Sequence, residues 1–371
     1  MVDLITQLDK IKPSIDKVIN EVITTAQFIN GPEVKAFQIE LQEYLGVKHV
    51  IPCANGTDAL QIALMALSLK PGDEVICPSF TYVATAEVIS LLGLTPVMTD
   101  VDPDTFNITA DIIRPHITSK TKAIVPVHLY GQSSDMEGIM DLAKEFGLYV
   151  IEDNAQAIGA KYTFSDGTVK STGTIGHIGT TSFFPSKNLG YYGDGGAIFT
   201  NDDDLAHTIR GVVNHGMYKR YHHDVVGVNS RLDSIQAVVL NEKLKLLDFY
   251  NERRKWAAIR YSQLLQDHPK IETPITSGDC DSHVYHQYTL KIVGADRDAL
   301  VAHLQQHDIH CGVYYPIPLH LQKAYADKRY KEEDFAVTNQ LIKQVISLPM
   351  HSELEEDQIQ FICKTILAFL D

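Results

Sequence analysis

Between His49 and Thr200 short apolar runs alternate with segments of helical spacing, and this alternation constrains the fold more than any other feature. The runs are His49 to Cys53, Val75 to Cys77, Pro96 to Met98, Ala123 to Val127, Leu148 to Ile151 and Gly195 to Thr200. Helical segments such as Ala59 to Leu69 and Asp135 to Phe146 lie between them. Strands alternating with helices predict a mostly parallel sheet covered on both faces, with ligands bound beyond the carboxyl ends of the strands. Two helices precede the sheet, one over residues 5–25 and one ending near Leu45, separated by Gly31-Pro32. Ser234 to Lys245 begins a long helix that continues through Trp256 towards Leu265. A strand over Val284 to Val293, a helix over Asp298 to Gln306 and a strand over Ile309 to Tyr315 follow. The rigid turn Pro316-Ile-Pro318 is placed to reach back towards the first half. At 371 residues the chain is long enough for two domains. The expected division is a large α/β domain over 1–250 and a smaller α+β domain over 251–371.

Net charge is −15, from 32 Lys and Arg against 47 Asp and Glu. That argues against binding nucleic acid or an anionic membrane. An anionic substrate then needs local positive charge. Lys219, Arg220 and Arg231, within Asn214 to Asp233, offer it, and a plain solvated loop is the alternative for Lys219. His222 and His223 are adjacent and point apart, so no metal site is expected. The five cysteines show no CxxC spacing and read as buried thiols in a reducing compartment. The first residues carry acids and no apolar core segment, and no stretch reaches membrane-spanning length, so a cytoplasmic protein is expected.

Lys187 stands between a Pro-Ser turn and the glycine-dense Gly190 to Gly196, near Phe183 and Phe184. Desolvation there lowers a lysine's pKa and suits its amine to Schiff-base chemistry with an aldehyde cofactor. A surface lysine in a hairpin loop is the plainer alternative. Asp153 closes the strand ending Val150-Ile-Glu-Asp, where a buried carboxylate needs a partner such as a protonated pyridine nitrogen, or else serves as a helix cap. Ala54-Asn-Gly-Thr-Asp58 joins a strand to a helix start, which is either an anion site or an ordinary N-cap. Tyr82, at a strand-to-helix junction, either stacks on a planar ring or sits half-buried in the core.

Asn55-Gly-Thr-Asp-Ala-Leu60, Glu152-Asp-Asn-Ala-Gln156, Ser182-Phe-Phe-Pro-Ser-Lys-Asn188, Gly193-Asp-Gly-Gly196 and Asn229-Ser-Arg-Leu-Asp233 occur in this order. Together they resemble the DegT/DnrJ/EryC1/StrS family of sugar aminotransferases over essentially the whole chain. The resemblance implies the aspartate aminotransferase type I fold of pyridoxal 5′-phosphate-dependent transferases, that cofactor, and a homodimer whose active site is shared between subunits. Cys53 to Ile62, Phe80 to Glu87 and Arg220 to Asp233 most resemble the branch that moves an amino group from L-glutamate to C3 of a UDP-linked 3-keto-N-acetylglucosaminuronic acid, for surface polysaccharides. Carried over, Lys187 binds the cofactor covalently and Asp153 pairs with its ring nitrogen. Gln156 lies near its phenolic oxygen and Tyr82 stacks on the ring. Gly56, Thr57 and Ser182 hold the phosphate, with Asn229 from the other subunit. Arg231, also from the other subunit, together with Ser186 and Tyr315, matches substrate-contacting positions. Ala26 and Phe28 replace a glycine and a tyrosine of that branch, and Tyr314 a histidine, all at the substrate-facing rim. These departures keep a dTDP-linked 3-keto-6-deoxyhexose or a 4-keto sugar open as substrate. Three rivals are set against the transaminase. A dehydratase of this fold would have histidine for Lys187, and a noncatalytic protein that binds pyridoxal phosphate or regulates finds no support in the acidic charge. A nicotinamide enzyme would need the GxGxxG that the first strand lacks.

Overall fold

The structure, a computed structural model, describes residues 2–276 and 280–371. Seven strands form the central sheet: β1 (His49–Cys53), β2 (Glu74–Pro78), β3 (Thr95–Thr99), β4 (Thr121–Ile124), β5 (Tyr149–Asp153), β6 (Ile178–Ser182) and β7 (Gly196–Thr200). Their spatial order is β1-β7-β6-β5-β4-β2-β3. β7 runs antiparallel to both neighbours, and the other pairings are parallel. Side-chain alternation splits each strand between two cores. Val75, Cys77, Ala123 and Ile151 face one core, with helices Gly56–Ala66 and Ala84–Leu91. Ile76, Ile124 and Val150 face the other, with helix Met136–Phe146. A third core joins helices Leu247–Leu265 and Glu356–Leu370 to an antiparallel sheet of β8 (Ile271–Glu272), β9 (Tyr288–Ile292) and β10 (Val345–Leu348). No helix among the described residues is long and apolar enough to cross a membrane.

Several expectations change. The long helix is two, Ser234–Leu244 and Leu247–Leu265. Leu246 joins them at φ −109, ψ 0, and Leu244 and Leu247 enter one core. Residues 309–315 are not a ladder strand. Gly312 alone exchanges backbone hydrogen bonds with Ser347. The wholly buried Val345–Leu348 takes the sheet position, while 311–315 stay half-exposed. Cys53, Cys77 and Cys363 are buried free thiols, but free Cys311 is only half-buried, and the Cys280 side chain lies outside the described residues. Pro316-Ile-Pro318 does reach back, since Leu319 N–H donates to the Ser79 carbonyl at 3.0 Å.

Strand β6 carries little apolar sequence, and a buried carboxylate positions its entry. Glu152, fully buried, accepts N–H bonds from Ile175 (2.7 Å), Gly176 (2.6 Å) and Gly173 (2.7 Å). It also accepts from His128 Nε2 at 2.9 Å, while His128 Nδ1 accepts from Ser134 N–H. Glu152→Ala leaves three backbone donors without an acceptor, so we expect it to cost about 3–5 kcal/mol in urea unfolding, with Glu152→Gln costing less.

Candidate active site

The site gathers where β1, β5 and β6 end. After β1, Asn55 caps helix Gly56–Ala66, its side chain accepting from Asp58 N–H at 2.8 Å. The first N–H groups of a helix have no partner inside it and point outward. Ser182, the last residue of β6, lies against that turn. A Cβ built on Gly56 would stand 2.7 Å from Ser182 Cβ. Only glycine therefore lets the helix start close on the serine. Gly56, Thr57 and Ser182 thus form a cradle of donors suited to an anion.

Asp153, the last residue of β5, is 6% exposed. Its Oδ2 accepts from Thr85 Oγ1 at 2.9 Å and its Oδ1 from Ala155 N–H at 3.2 Å. Burial raises its pKa. The two donors and the charge of Lys187 oppose that shift. Burial likewise lowers Lys187 to about 8, against the pull of Asp153. For both groups desolvation outweighs their mutual attraction, which marks a pair built around something further. Lys187 as a residue still keeps part of its surface open. Its N–H donates to the Phe184 carbonyl at 2.8 Å. Asn188 anchors the loop through Asn251 (2.7 Å) and the Val284 carbonyl (3.0 Å). Phe183 is buried as expected, but Phe184 is 51% exposed and does not wall the amine in.

Tyr82 is 58% exposed, its ring 6.4 Å from that of Tyr315. Gln156 accepts from Tyr130 N–H at 2.7 Å and donates to the Tyr315 hydroxyl at 3.3 Å. Tyr314 follows this wall, its carbonyl accepting from the Tyr130 hydroxyl. Ser186 precedes Lys187 in its loop. Thr85 and Tyr130 are functional neighbours that sequence reasoning missed. Thr85 lies within Phe80 to Glu87, a stretch that carries the family resemblance. Tyr130 sits at φ +58, which nothing in its neighbours announces.

Phe28, Asn229 and Arg231 have other partners. Phe28 pairs with the start of helix Ser234–Leu244, its carbonyl accepting from Ser234 N–H at 2.9 Å. Asn229 bridges Asn214 and is exposed. Arg231 makes one long contact, 3.4 Å to Asn214 Oδ1, and its buried Nε has no partner among the described residues. No hydrogen bond or ring contact among the described residues joins this group to Lys187 or Asp153. Ser230, between Asn229 and Arg231, accepts from Ala54 N–H at 3.0 Å, beside the cradle. Lys219 and Arg220 lie on an exposed hairpin, Arg220 over the Tyr221 ring.

The described groups fit a phosphorylated pyridine aldehyde: a cradle for the phosphate, a buried carboxylate without a salt bridge among the described residues for the ring nitrogen, and a desolvated amine for the aldehyde. In the cofactor-free protein, trapping of a small aldehyde on Lys187 by borohydride should rise with pH through about 8. A rise delayed to an ordinary lysine's range would contradict the burial.

Sequence comparison agrees with this geometry. The profile of the DegT/DnrJ/EryC1/StrS aminotransferase family matches residues 9–367. A "pleiotropic regulatory protein" of Geobacillus stearothermophilus is 46% identical, covering 100% of this chain and 98% of its own. The UDP-2-acetamido-2-deoxy-3-oxo-D-glucuronate aminotransferase of Pseudomonas aeruginosa is also 46% identical, covering 98% of each. The UDP-N-acetyl-3-dehydro-alpha-D-glucosamine 3-aminotransferase of Acidithiobacillus ferrooxidans is 44% identical, over 99% of this chain and 96% of its own. Among solved structures, an aminotransferase of the same family from Brucella abortus superposes with TM-score 0.92 at 41% identity, covering 99% of this chain and 98% of that one.

Proposed function

Because the chain belongs to the DegT/DnrJ/EryC1/StrS aminotransferase family, we propose that it is a pyridoxal 5′-phosphate-dependent sugar-nucleotide aminotransferase. It moves the amino group of L-glutamate to C3 of a UDP-linked 3-keto-N-acetylglucosaminuronic acid. The observation that carries the chemistry is the desolvated Lys187 beside the buried Asp153. Relatives named as UDP-sugar 3-aminotransferases support the UDP sugar and the position aminated. The regulatory name of one relative favours a noncatalytic cofactor-binding reading, while the aminotransferase names of two others favour catalysis.

Bound cofactor supplies an aldehyde that exchanges amines and a ring that accepts electron density from the carbon losing its proton. Asp153 would hold the proton on the pyridine nitrogen. Gly56, Thr57 and Ser182 would hold the phosphate, Tyr82 would cover the ring, and Gln156, oriented by Tyr130, would meet the phenolic oxygen. With the cofactor bound, the Lys187 amine would take the proton from the amine-bearing carbon of the donor in the first half-reaction and give a proton to C3 of the sugar in the second. Ser186, Tyr314 and Tyr315 line the sugar side, and Phe28 stands at the rim. The keto acid leaves before the keto sugar binds, so kinetics are ping-pong.

We place the partner subunit's copies of Asn229 and Arg231 in the site of a homodimer. The buried Arg231 Nε, without a partner among the described residues, supports that arrangement. We retain the division near residue 250, because Leu247 packs with the large core and Ala257 onward with the third. Free thiols and a sugar-nucleotide substrate fit a cytoplasmic setting.

Single-turnover spectroscopy tests the substrate. After reaction with L-glutamate, the cofactor spectrum should revert with UDP-3-keto-N-acetylglucosaminuronate. Reversion only with UDP-3-keto-N-acetylglucosamine, or only with a dTDP-3-keto-6-deoxyhexose, would move the assignment to a sugar without a C6 carboxylate. Failure of L-glutamate to change the spectrum would remove the donor. Lys187→Ala should abolish turnover, and a variant with normal turnover would sink the enzyme assignment. Mixed dimers of Lys187→Ala and Arg231→Ala should recover activity that neither variant has alone. Mixed dimers as inactive as their parents would argue against a shared site.

A further inference from the structure

Lys243, on helix Ser234–Leu244, is 2% exposed, and no carboxylate pairs with it among the described residues. Burying an ammonium without a counter-ion is costly, and an apolar side chain of similar length would pack there more cheaply. The amine has three neutral partners instead. It donates to the Gly190 carbonyl at 2.8 Å and to Gln7 Oε1 at 3.0 Å, and it lies 4.7 Å from the Tyr192 ring centroid. Gly190 and Tyr192 belong to the loop that carries Lys187, and Gln7 to the first helix, Leu4–Thr25.

Gly190 is also the point where that loop folds on itself. A Cβ there would meet the Pro185 carbonyl oxygen at 2.3 Å and that of Phe184 at 2.8 Å. The turn Phe184-Pro-Ser-Lys187 is closed by Lys187 N–H on the Phe184 carbonyl, and Tyr191 N–H returns to the Phe183 carbonyl at 2.8 Å. Holding the Gly190 carbonyl therefore holds the turn from which the Lys187 side chain springs. The geometry points to Lys243 as a positioning residue for Lys187, a buried latch that fixes the register of the loop against helix Ser234–Leu244. Its role in turnover rests on Lys187 being the reactive amine.

The test compares holoenzyme variants Lys243→Met and Gln7→Leu by amide hydrogen exchange and by steady-state kinetics. In Lys243→Met, peptides covering 183–193 should exchange about tenfold faster or more while the central strands stay protected. The kcat should fall about 10- to 100-fold with KM nearly unchanged, as expected when a reacting group is misplaced while substrate binding is intact. Gln7→Leu should loosen the first helix alone and leave kcat as it was. If Lys243→Met does not fold, Lys243→Gln, whose amide stops one bond short of the amine and loosens its hold on the Gly190 carbonyl, is read in the same way. Wild-type protection over 183–193 together with wild-type kcat would overturn the latch. Borohydride labelling separates the two claims. Cofactor mapped to a residue other than Lys187 would remove that residue's chemical role, while exchange over 183–193 would still decide whether Lys243 holds the loop.

Discussion

Everything at the site depends on a carboxylate and an amine placed together away from water. Asp153 ends a central strand, and among the described residues its buried oxygens accept from a threonine hydroxyl and one backbone N–H alone. Lys187 comes from the loop that follows β6. Neither group is comfortable, since burial pushes the acid up and the amine down despite their opposite charges. A cofactor that brings a cation to the acid and a carbonyl to the amine relieves both costs. The fold holds each group by its backbone, so the mismatch persists until the ligand arrives.

That arrangement draws on distant parts of the chain. Glu152, beside Asp153, ties the end of β5 to the turn entering β6. Asn188, beside Lys187, ties its loop to Asn251 and Val284. Gln156 and Tyr130 connect to Tyr314 and Tyr315, more than 150 residues later. In each case a site residue adjoins, or itself is, a group that satisfies buried backbone or side-chain atoms. The reactive groups are thus positioned by hydrogen bonds that the fold needs in any case.

Much of this was legible in the chain. Alternating apolar runs placed six of the seven central strands, because both faces of a parallel sheet are buried and the strand composition shows it. Asp153, Gly56 and Lys187 stood out because strand ends, helix starts and glycine loops carry recognisable residues. β6 was not legible, since Ile178-Gly-Thr-Thr-Ser182 is weakly apolar and becomes a strand only by lying between β5 and β7. The third strand of the small sheet was placed in 309–315 instead of 345–348. Both segments are short and β-prone, and only the packing against β9 chooses between them. The single long helix failed at Leu246 for a similar reason, as its break serves the core and carries no glycine or proline.

The sequence by itself determined the kind of chemistry: a lysine in a turn, an acid at a strand end and a helix start suited to an anion, each a local feature with a local signature. Tertiary structure decided which groups meet. Thr85 on Asp153, Tyr130 on Gln156 and Lys243 under Gly190 are contacts between residues far apart in the chain or hidden in ordinary helices. Their partners are set by how layers pack, and packing is a property of the whole molecule that no short stretch encodes.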